Sequence, residues 1–484
     1  MPGMNPMTLQ RRVRISWGAT AFLAAGILIA ASDWRRPAET ITSELADLPL
    51  YLDNGLIRIG VDPNWGGAIN YLADSARPDR NYINRHDPGR LVQCSFFGPP
   101  YAYNAWPFQP NWPWNPIQAG DCMGNGSRIT GMTNNGRVLY TRCVPRLWAS
   151  VGEESGTVIE TWISIEGRAV KILSQFTNGT EDHSQYRDQE QLTVYVTTDL
   201  SRLVYYGGNR PFAREPLSVL APGFQNVYYQ PTEYWAAWAD SHDFGVGVFS
   251  RDRMTHTAFR SGRQGIVDPE DESTNYLAII PRFSIPPGSI HRQESYVILD
   301  TIDRIRDFAY QRARVPSGQN NELAWGFEKA EERDGWSGGW DESGQRNLVD
   351  DHYGVHRGLW TFKVLMDIEG TAQILSPHFQ IPAADFDTLE IGLSLNTSST
   401  PRFKILWNRL EDPIFSFPAE RSRSVDIRAD GRFRVYRIFL GDHSQWKGTI
   451  RQIAFAGIEA NTRVAIDQIR LCRHDAPGVR IVAD

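Results

Sequence analysis

The sequence predicts an all-β protein of two domains, a large antiparallel β unit followed by a jelly-roll β-sandwich, behind an N-terminal hydrophobic segment. Three observations carry this expectation. From Leu50 onward, short runs rich in Val, Ile, Thr and aromatic residues alternate with Gly, Asn and Pro clusters, the pattern of strands joined by tight turns. Before residue 323 only Thr301–Arg314 shows helical spacing, through Ile302, Ile305, Phe308 and Ala309. A break rich in Pro, Ser, Gly and Asn at 315–322 then separates the first strand series from a second.

At the N-terminus, Arg11, Arg12 and Arg14 precede the apolar run Ile15–Ala31, and small residues Ala30, Ala31 and Ser32 close it. Residues 1–39 therefore read as a secretory signal. The run also reaches the lower length limit of a membrane span, so an uncleaved anchor with a cytoplasmic N-terminus is the alternative. In both cases the remainder is expected to be exported, to the periplasm or beyond. Thr40–Pro49 reads as a linker.

The first unit, 45–314, opens with the runs LIRIGVD, AINYLA, LVQCSFF, RITGMT, VLYTRCVP, TVIETWISIEG and AVKILSQFTN, with turn signals at 134–136 and 178–180. Further strands are expected at Gln191–Thr197, Phe244–Ser250, Tyr276–Pro281 and Ser295–Ile298. The second unit, 323–474, holds a compact series of short β segments that suits a jelly roll. Cys94, Cys122 and Cys143 lie close in sequence and Cys472 stands apart. An oxidising compartment favours one disulfide among the first three, with Cys122–Cys143 preferred. No C-x-x-C pair or nearby His supports zinc. The formal net charge is −6 with no basic cluster beyond residue 36, so nucleic acid is not an expected partner.

The most crowded stretch is Asn84–Arg128. Its seven prolines exclude a long helix, and its apolar content makes it an ordered loop rather than a linker. Trp106, Trp112 and Trp114 stand among Asp87, Arg90, Gln93, Gln118 and Asp121. Aromatic faces beside carboxylates and amides suit a pyranose, whose CH face stacks while its hydroxyls take hydrogen bonds. The plainer alternative is a proline-aromatic plug over a β core.

Glycosidic hydrolysis needs an acid and a base or nucleophile, usually two carboxylates, whereas a lyase needs a base and a group that neutralises a uronate. Glu233 is the leading carboxylate, set between Thr232 and the aromatic run Tyr234, Trp235 and Trp238. Such a residue is either buried with a partner or faces a cleft. Its partner is expected to be Glu190, at the head of an apolar strand behind Arg187 and Asp188, or Asp121, or Asp87. The alternatives are a solvated loop around 181–190, a loop-satisfying Asp121 and ordinary turn chemistry at Asp87. No H-E-x-x-H, G-x-S-x-G, Walker or dinucleotide pattern is present, which argues against zinc peptidases, serine hydrolases, NTPases and Rossmann enzymes.

In the second unit, Trp325–Phe327, Asp334-Gly335-Trp336, the segment ending at Trp407, Gln445–Gly448 and the closing Val464–Leu471 resemble the carbohydrate-binding-module type of jelly roll. By its length, strand density and aromatic loops, the first unit resembles the galactose-mutarotase-like supersandwich domains of polysaccharide-active enzymes. The module resemblance implies a structural calcium beside Glu328 and Asp467; no other cofactor is expected. Trp336 and Trp340 are the expected exposed sugar platform there.

The sequence thus reads as an exported protein acting on a polysaccharide, with hydrolysis ahead of lyase chemistry. Substrate would be bound by Arg90, Gln93, Trp106, Trp112, Trp114, Gln118, Trp235, Trp336 and Trp340. A non-catalytic glycan binder and a mutarotase-like epimerase are the rival readings.

Overall fold

The computed structural model describes residues 50–208, 210–251, 255–312, 322–328, 333–339, 348–350, 355–356, 358–397, 402–413 and 416–474. The signal or anchor reading of residues 1–39, most of the 315–322 linker and the Trp340 platform lie outside the described residues. Among the described residues no helix is long and apolar enough to cross a membrane.

The chain is all-β, with strands almost wholly antiparallel and arranged in two stacked units. In the first, a 10-stranded sheet runs through Tyr51–Asp53, Ile57–Asp62, Ala68–Asp74, Val92–Ser95, Glu190–Val196, Thr274–Ile279, His256–Ser261 and Val227–Tyr229, with two short strands off this path. A 9-stranded sheet faces it, with Trp235–Ala239, Phe244–Phe249, Ile290–Thr301, Ala169–Thr177, Val158–Glu166 and Val138–Val144 in its centre. Strand alternation makes the pairing work, because successive side chains point to opposite faces. Leu192, Val194, Val196, Leu277 and Ile279 of one sheet meet Ile163, Ile172, Trp238, Val246, Val248, Val297 and Leu299 of the other in a single apolar core.

The predicted helix forms at Ile302–Arg312, here α1. It buries Ile302, Ile305 and Ala309 against Trp235, Ala237 and Phe249 on the outer face of the 9-stranded sheet. The same face explains Glu233. Fully buried, its carboxylate accepts both Arg306 Nε and Nη2 at 2.9 Å, Tyr310 Oη at 2.6 Å, the Phe212 amide at 3.0 Å and Trp235 Nε1 at 3.1 Å. Every lone pair it presents has a donor. Glu233 is therefore the clamp that fixes α1 to the sheet, and Trp235 is a core residue beneath that helix; neither reaches a cleft.

The second unit packs a 7-stranded against a 6-stranded sheet, sealing Trp325, Phe327, Trp336, Trp360, Trp407 and Trp446 in one core. Trp336 stacks on Phe455 with centroids 5.3 Å apart and is no exposed platform. It lies inside because the Gly-rich segment around it folds against Ile374–Leu375 as an edge strand. Glu328 and Asp467 do approach each other: burial, then the Glu328 charge, raises the Asp467 carboxyl. Among the described residues no group of three His, Cys, Asp or Glu converges as a ligand set, and the expected calcium gains no support. The two units meet where buried His378 lies edge-on to Tyr234 and Phe212, at 5.9 and 6.5 Å.

The expected disulfide is not formed. All four cysteines are free and buried. Cys122 belongs to the aromatic-loop cluster, whereas Cys143 sits with Cys94 in another, between the sheets. Burial pushes the Cys94 and Cys122 thiols up to about 12, so they are protonated and inert. In the absence of reductant, thiol titration should find four reactive thiols after unfolding and essentially none before. A second expectation concerns the clamp. Glu233→Gln leaves a buried guanidinium without its counter-charge, and should lower the unfolding free energy in urea by about 3–5 kcal/mol.

Candidate functional site

The site lies on the other outer face, that of the 10-stranded sheet. Since Leu192, Val194 and Val196 are committed to the inter-sheet core, the intervening side chains must face outward. Tyr195 there meets Tyr276, its cross-strand partner, with ring centroids 4.8 Å apart. Phe259 of the next strand stacks on Tyr276 at 4.6 Å. This aromatic floor ends at Glu190, where the pairing with Val92–Ser95 shifts register.

Glu190 accepts a hydrogen bond from Tyr276 Oη at 2.6 Å. Enclosure of the carboxyl against this floor pushes it up to about 7, with Asp188 adding to the rise while the Tyr276 and Ser95 hydroxyls oppose it. Burial and then the Glu190 charge hold the Tyr276 hydroxyl protonated, well above its ordinary value. Glu190 can therefore exchange a proton near neutrality while a fixed donor orients it.

Asp188 is two residues away, and Gln189 between them is fully buried. Its Oε1 accepts the Phe97 amide at 2.7 Å, and its Nε2 donates to the Phe97 and Phe283 carbonyls at 3.0 and 3.3 Å. Pinning Gln189 inward sends its two acidic neighbours to the opposite side. Asp188 pairs in register with Arg282, whose Nε is 3.3 Å from Oδ1. Burial raises the Asp188 carboxyl, against Arg282, Arg187 and a hydrogen bond from Tyr228. Arg187 lies 5.5 Å from both the Phe97 and Tyr101 ring centres and donates Nη1 to Tyr101 Oη at 2.7 Å. Tyr101 in turn donates to Gln185.

The remaining sequence candidates divide sharply. Asp87 accepts the Gly89 amide at 2.8 Å and stands 3.3 Å from Arg90 Nε; Arg90 also donates to the Glu272 carbonyl at 3.0 Å. This turn borders the floor, since both charges act on Tyr195. Gln93 only braces it, donating to the Pro88 and Arg90 carbonyls and accepting the Ala119 amide. Gln118 accepts the Cys94 amide. Asp121 is consumed by its own loop, accepting the Met123, Asn125 and Gly152 amides at 2.9, 2.9 and 2.6 Å. Trp106 and Trp112 pack with Phe97 and Trp148, while Trp114 stacks on His183 at 3.6 Å. All three are buried, so the stretch is the plug rather than the sugar platform.

Glu190 and Glu233 thus occupy opposite outer faces of one sandwich and cannot act as a pair. The structure instead joins Glu190 to Asp188, Tyr228, Tyr276 and Arg282, while Arg187 is buried on the Phe97 side of the ribbon. Asp188-x-Glu190 had a usable signal, the two-residue period; Tyr228, Tyr276 and Arg282 come from strands far away in sequence.

A pH dependence follows. Glu190 titrates at about 7 in the fold against an ordinary 4.5. Between those values the folded state holds a proton that the unfolded state releases, so stability is full below 4.5 and is lost as pH rises through 7. Glu190→Gln removes this loss. The variant should gain stability relative to the parent across that window and keep the gain above it, as urea melts at pH 4, 6 and 8 would show.

No family model matches the sequence, and no curated protein matches it. Solved structures give low-identity likenesses over about half of the chain. The structure is similar to a galactose mutarotase-like protein from Lactobacillus casei ATCC 334 at 10% identity and TM-score 0.35, covering 51% of this chain and 99% of that one. A galactose mutarotase related enzyme from Lactobacillus acidophilus gives 9% identity and TM-score 0.33, over 52% and 97% of the two chains. A 4-alpha-glucanotransferase from Thermococcus litoralis gives 8% and 0.28, over 52% and 37%.

Proposed function

We propose that this chain is an exported carbohydrate-active enzyme that hydrolyses a polysaccharide, with Glu190 as proton donor and Asp188 as the second carboxylate. The observation that carries this reading is the Glu190 carboxyl, raised to about 7 beside a second carboxylate and held by Tyr276 Oη. At pH 7 about half of such carboxyls hold a proton. Glu190 delivers it to the glycosidic oxygen as the C–O bond breaks, and Asp188 takes a proton from the attacking water. Arg282, ion-paired to Asp188, favours its anionic form. The exposed ring of Tyr228 offers a stacking surface. The C-terminal sandwich holds glycan or braces the first unit.

A lyase is the second reading, favoured by the tyrosine hydroxyls and guanidiniums around the same carboxylates. In it Glu190 removes the proton next to a uronate carboxyl group, and the protonated Tyr228 hydroxyl, held so by burial and by Asp188 and Glu190, gives a proton to the leaving glycosidic oxygen as the sugar departs by β-elimination. Incubation with a panel of neutral and acidic polysaccharides separates the two. New reducing ends without unsaturated products support hydrolysis; ultraviolet-absorbing unsaturated ends support the lyase. Glu190→Gln should lower the rate by about 10²–10⁴-fold; the parent's kcat/KM should fall as pH rises above about 7 if Glu190 is the hydrolytic acid, and rise through about 7 if it is the lyase base. Binding without product from any polymer would leave a glycan-binding protein.

A further inference from the structure

The outer surface of the aromatic plug has a composition that the site around Glu190 does not require. From Leu91 to Gly120 the chain carries no Asp, Glu, Lys, Arg or His. In and beside this stretch Phe108, Met123 and Val151 stand in solvent, 56%, 49% and 73% exposed. They belong to one patch. Phe108 packs edge-on to Trp106, which lies 5.0 Å from Trp148. The Cys122 amide, next to Met123, donates to the Trp148 carbonyl at 2.9 Å. Asp121 accepts the Met123 and Gly152 amides, which ties the turn bearing Met123 to the turn bearing Val151. Exposed apolar side chains gathered over a buried aromatic cluster mark a contact surface.

Two observations say what covers it. The first is where the opening strand Tyr51–Asp53 starts. The Leu50 carbonyl accepts the Val61 amide at 3.1 Å, and Asp62 caps the turn Pro63–Trp65. Gly126 lies so close to the Asn64 carbonyl that a side chain there would collide with it, and Gly126 bridges Gly120, next to Asp121. Leu50 thus lies at the same end of the first unit as the patch. Only residues 32–49 separate it from the apolar run Ile15–Ala31, which reaches the length of a membrane span. The second observation is chemical. Trp, Tyr and Phe favour the headgroup level of a bilayer, and Pro107 and Pro110 beside Phe108 have no N–H to dehydrate. Attraction to anionic lipid plays no part, because Glu153 and Glu154 follow Val151 and Arg128 is already paired with Glu154 at 2.6 and 2.9 Å.

We propose that the plug end docks through Phe108, Met123 and Val151 on a lipid bilayer surface, with Ile15–Ala31 holding the chain in the same membrane. Insertion is shallow and apolar, at headgroup depth. The docking is independent of the reaction at Glu190. A second copy of the chain over the same patch is the competing occupant.

A depth measurement separates the two. The four native cysteines are buried, so Val151→Cys in the full-length protein takes a polarity-sensitive fluorophore selectively. Val219→Cys is the control, 61% exposed and on the opposite edge of the 9-stranded sheet from Arg128–Asn134. In phosphatidylcholine vesicles the label at 151 should shift to the blue and be quenched by brominated lipid, at low and high salt alike, while the label at 219 stays aqueous. Adding Phe108→Asp and Met123→Asp should return the 151 label to the signal of the 219 label. Phe108→Ser with Met123→Ser serves if that variant misfolds by circular dichroism, and should weaken the quenching. Equal signals at the two positions, failure to associate with the vesicles, or a shift confined to phosphatidylglycerol vesicles at low salt overturns the docking. Shielding of the 151 label that appears without lipid and grows with protein concentration assigns the patch to a second copy and overturns it as well.

Discussion

The strand Glu190–Val196 is the constraint on which the site depends. Its Leu192, Val194 and Val196 are sealed between the two large sheets, and a one-residue slip would exchange its buried and outward sets. Burial on one face therefore dictates the other. Tyr195 must face outward onto Tyr276 and Phe259. The register shift beside Glu190, together with the inward anchoring of Gln189, then places two carboxylates at the edge of that aromatic floor. The chemistry is a consequence of how the core is closed.

The same sandwich shows two fates for a carboxylate in apolar surroundings. Glu233 and Glu190 both stand beside aromatic residues in β-rich sequence. Glu233 receives a guanidinium fork, a phenol, an indole and a backbone amide, so its charge is fully compensated and its role is mechanical. Glu190 receives hydroxyls and has a carboxylate neighbour. That environment disfavours its charge and leaves it able to exchange a proton. The partners, rather than burial itself, separate the clamp from the candidate acid.

The aromatic loop supports this arrangement indirectly. Trp106, Trp112 and Trp148 form a packed plug, and Gln93 and Asn115 tie it to the sheet through the Ala119 amide, Ser95 Oγ and the Phe96 carbonyl. Phe97, at the end of this segment, receives both Gln189 and Arg187. Residues that looked like sugar contacts in sequence instead hold the strand and ribbon that carry the proposed ones. Proline and tryptophan density is the composition of a rigid lid over a β core as well as of a sugar cleft, and composition alone does not separate them.

The sequence by itself determined the all-β class, the strands Phe244–Phe249 and Thr274–Ile279 to within a few residues, and the helix Ile302–Arg312, because these rest on local periodicity and turn chemistry. It also placed Glu190 among the candidates, since a carboxylate heading an apolar strand is a local feature. Tertiary structure alone decided the remainder. Glu233 became a clamp because Arg306 and Tyr310 arrive from a helix some seventy residues on. Cys122 and Cys143 were separated because a turn leaves Cys122 in the aromatic plug while the strand Val138–Val144 carries Cys143 into another cluster. Tyr228, Tyr276 and Arg282 joined Asp188 and Glu190 only through strand pairings across the sheet and ribbon. Long-range pairing leaves no periodic trace in sequence, so the residues it unites become visible as a site only once the sheets have closed.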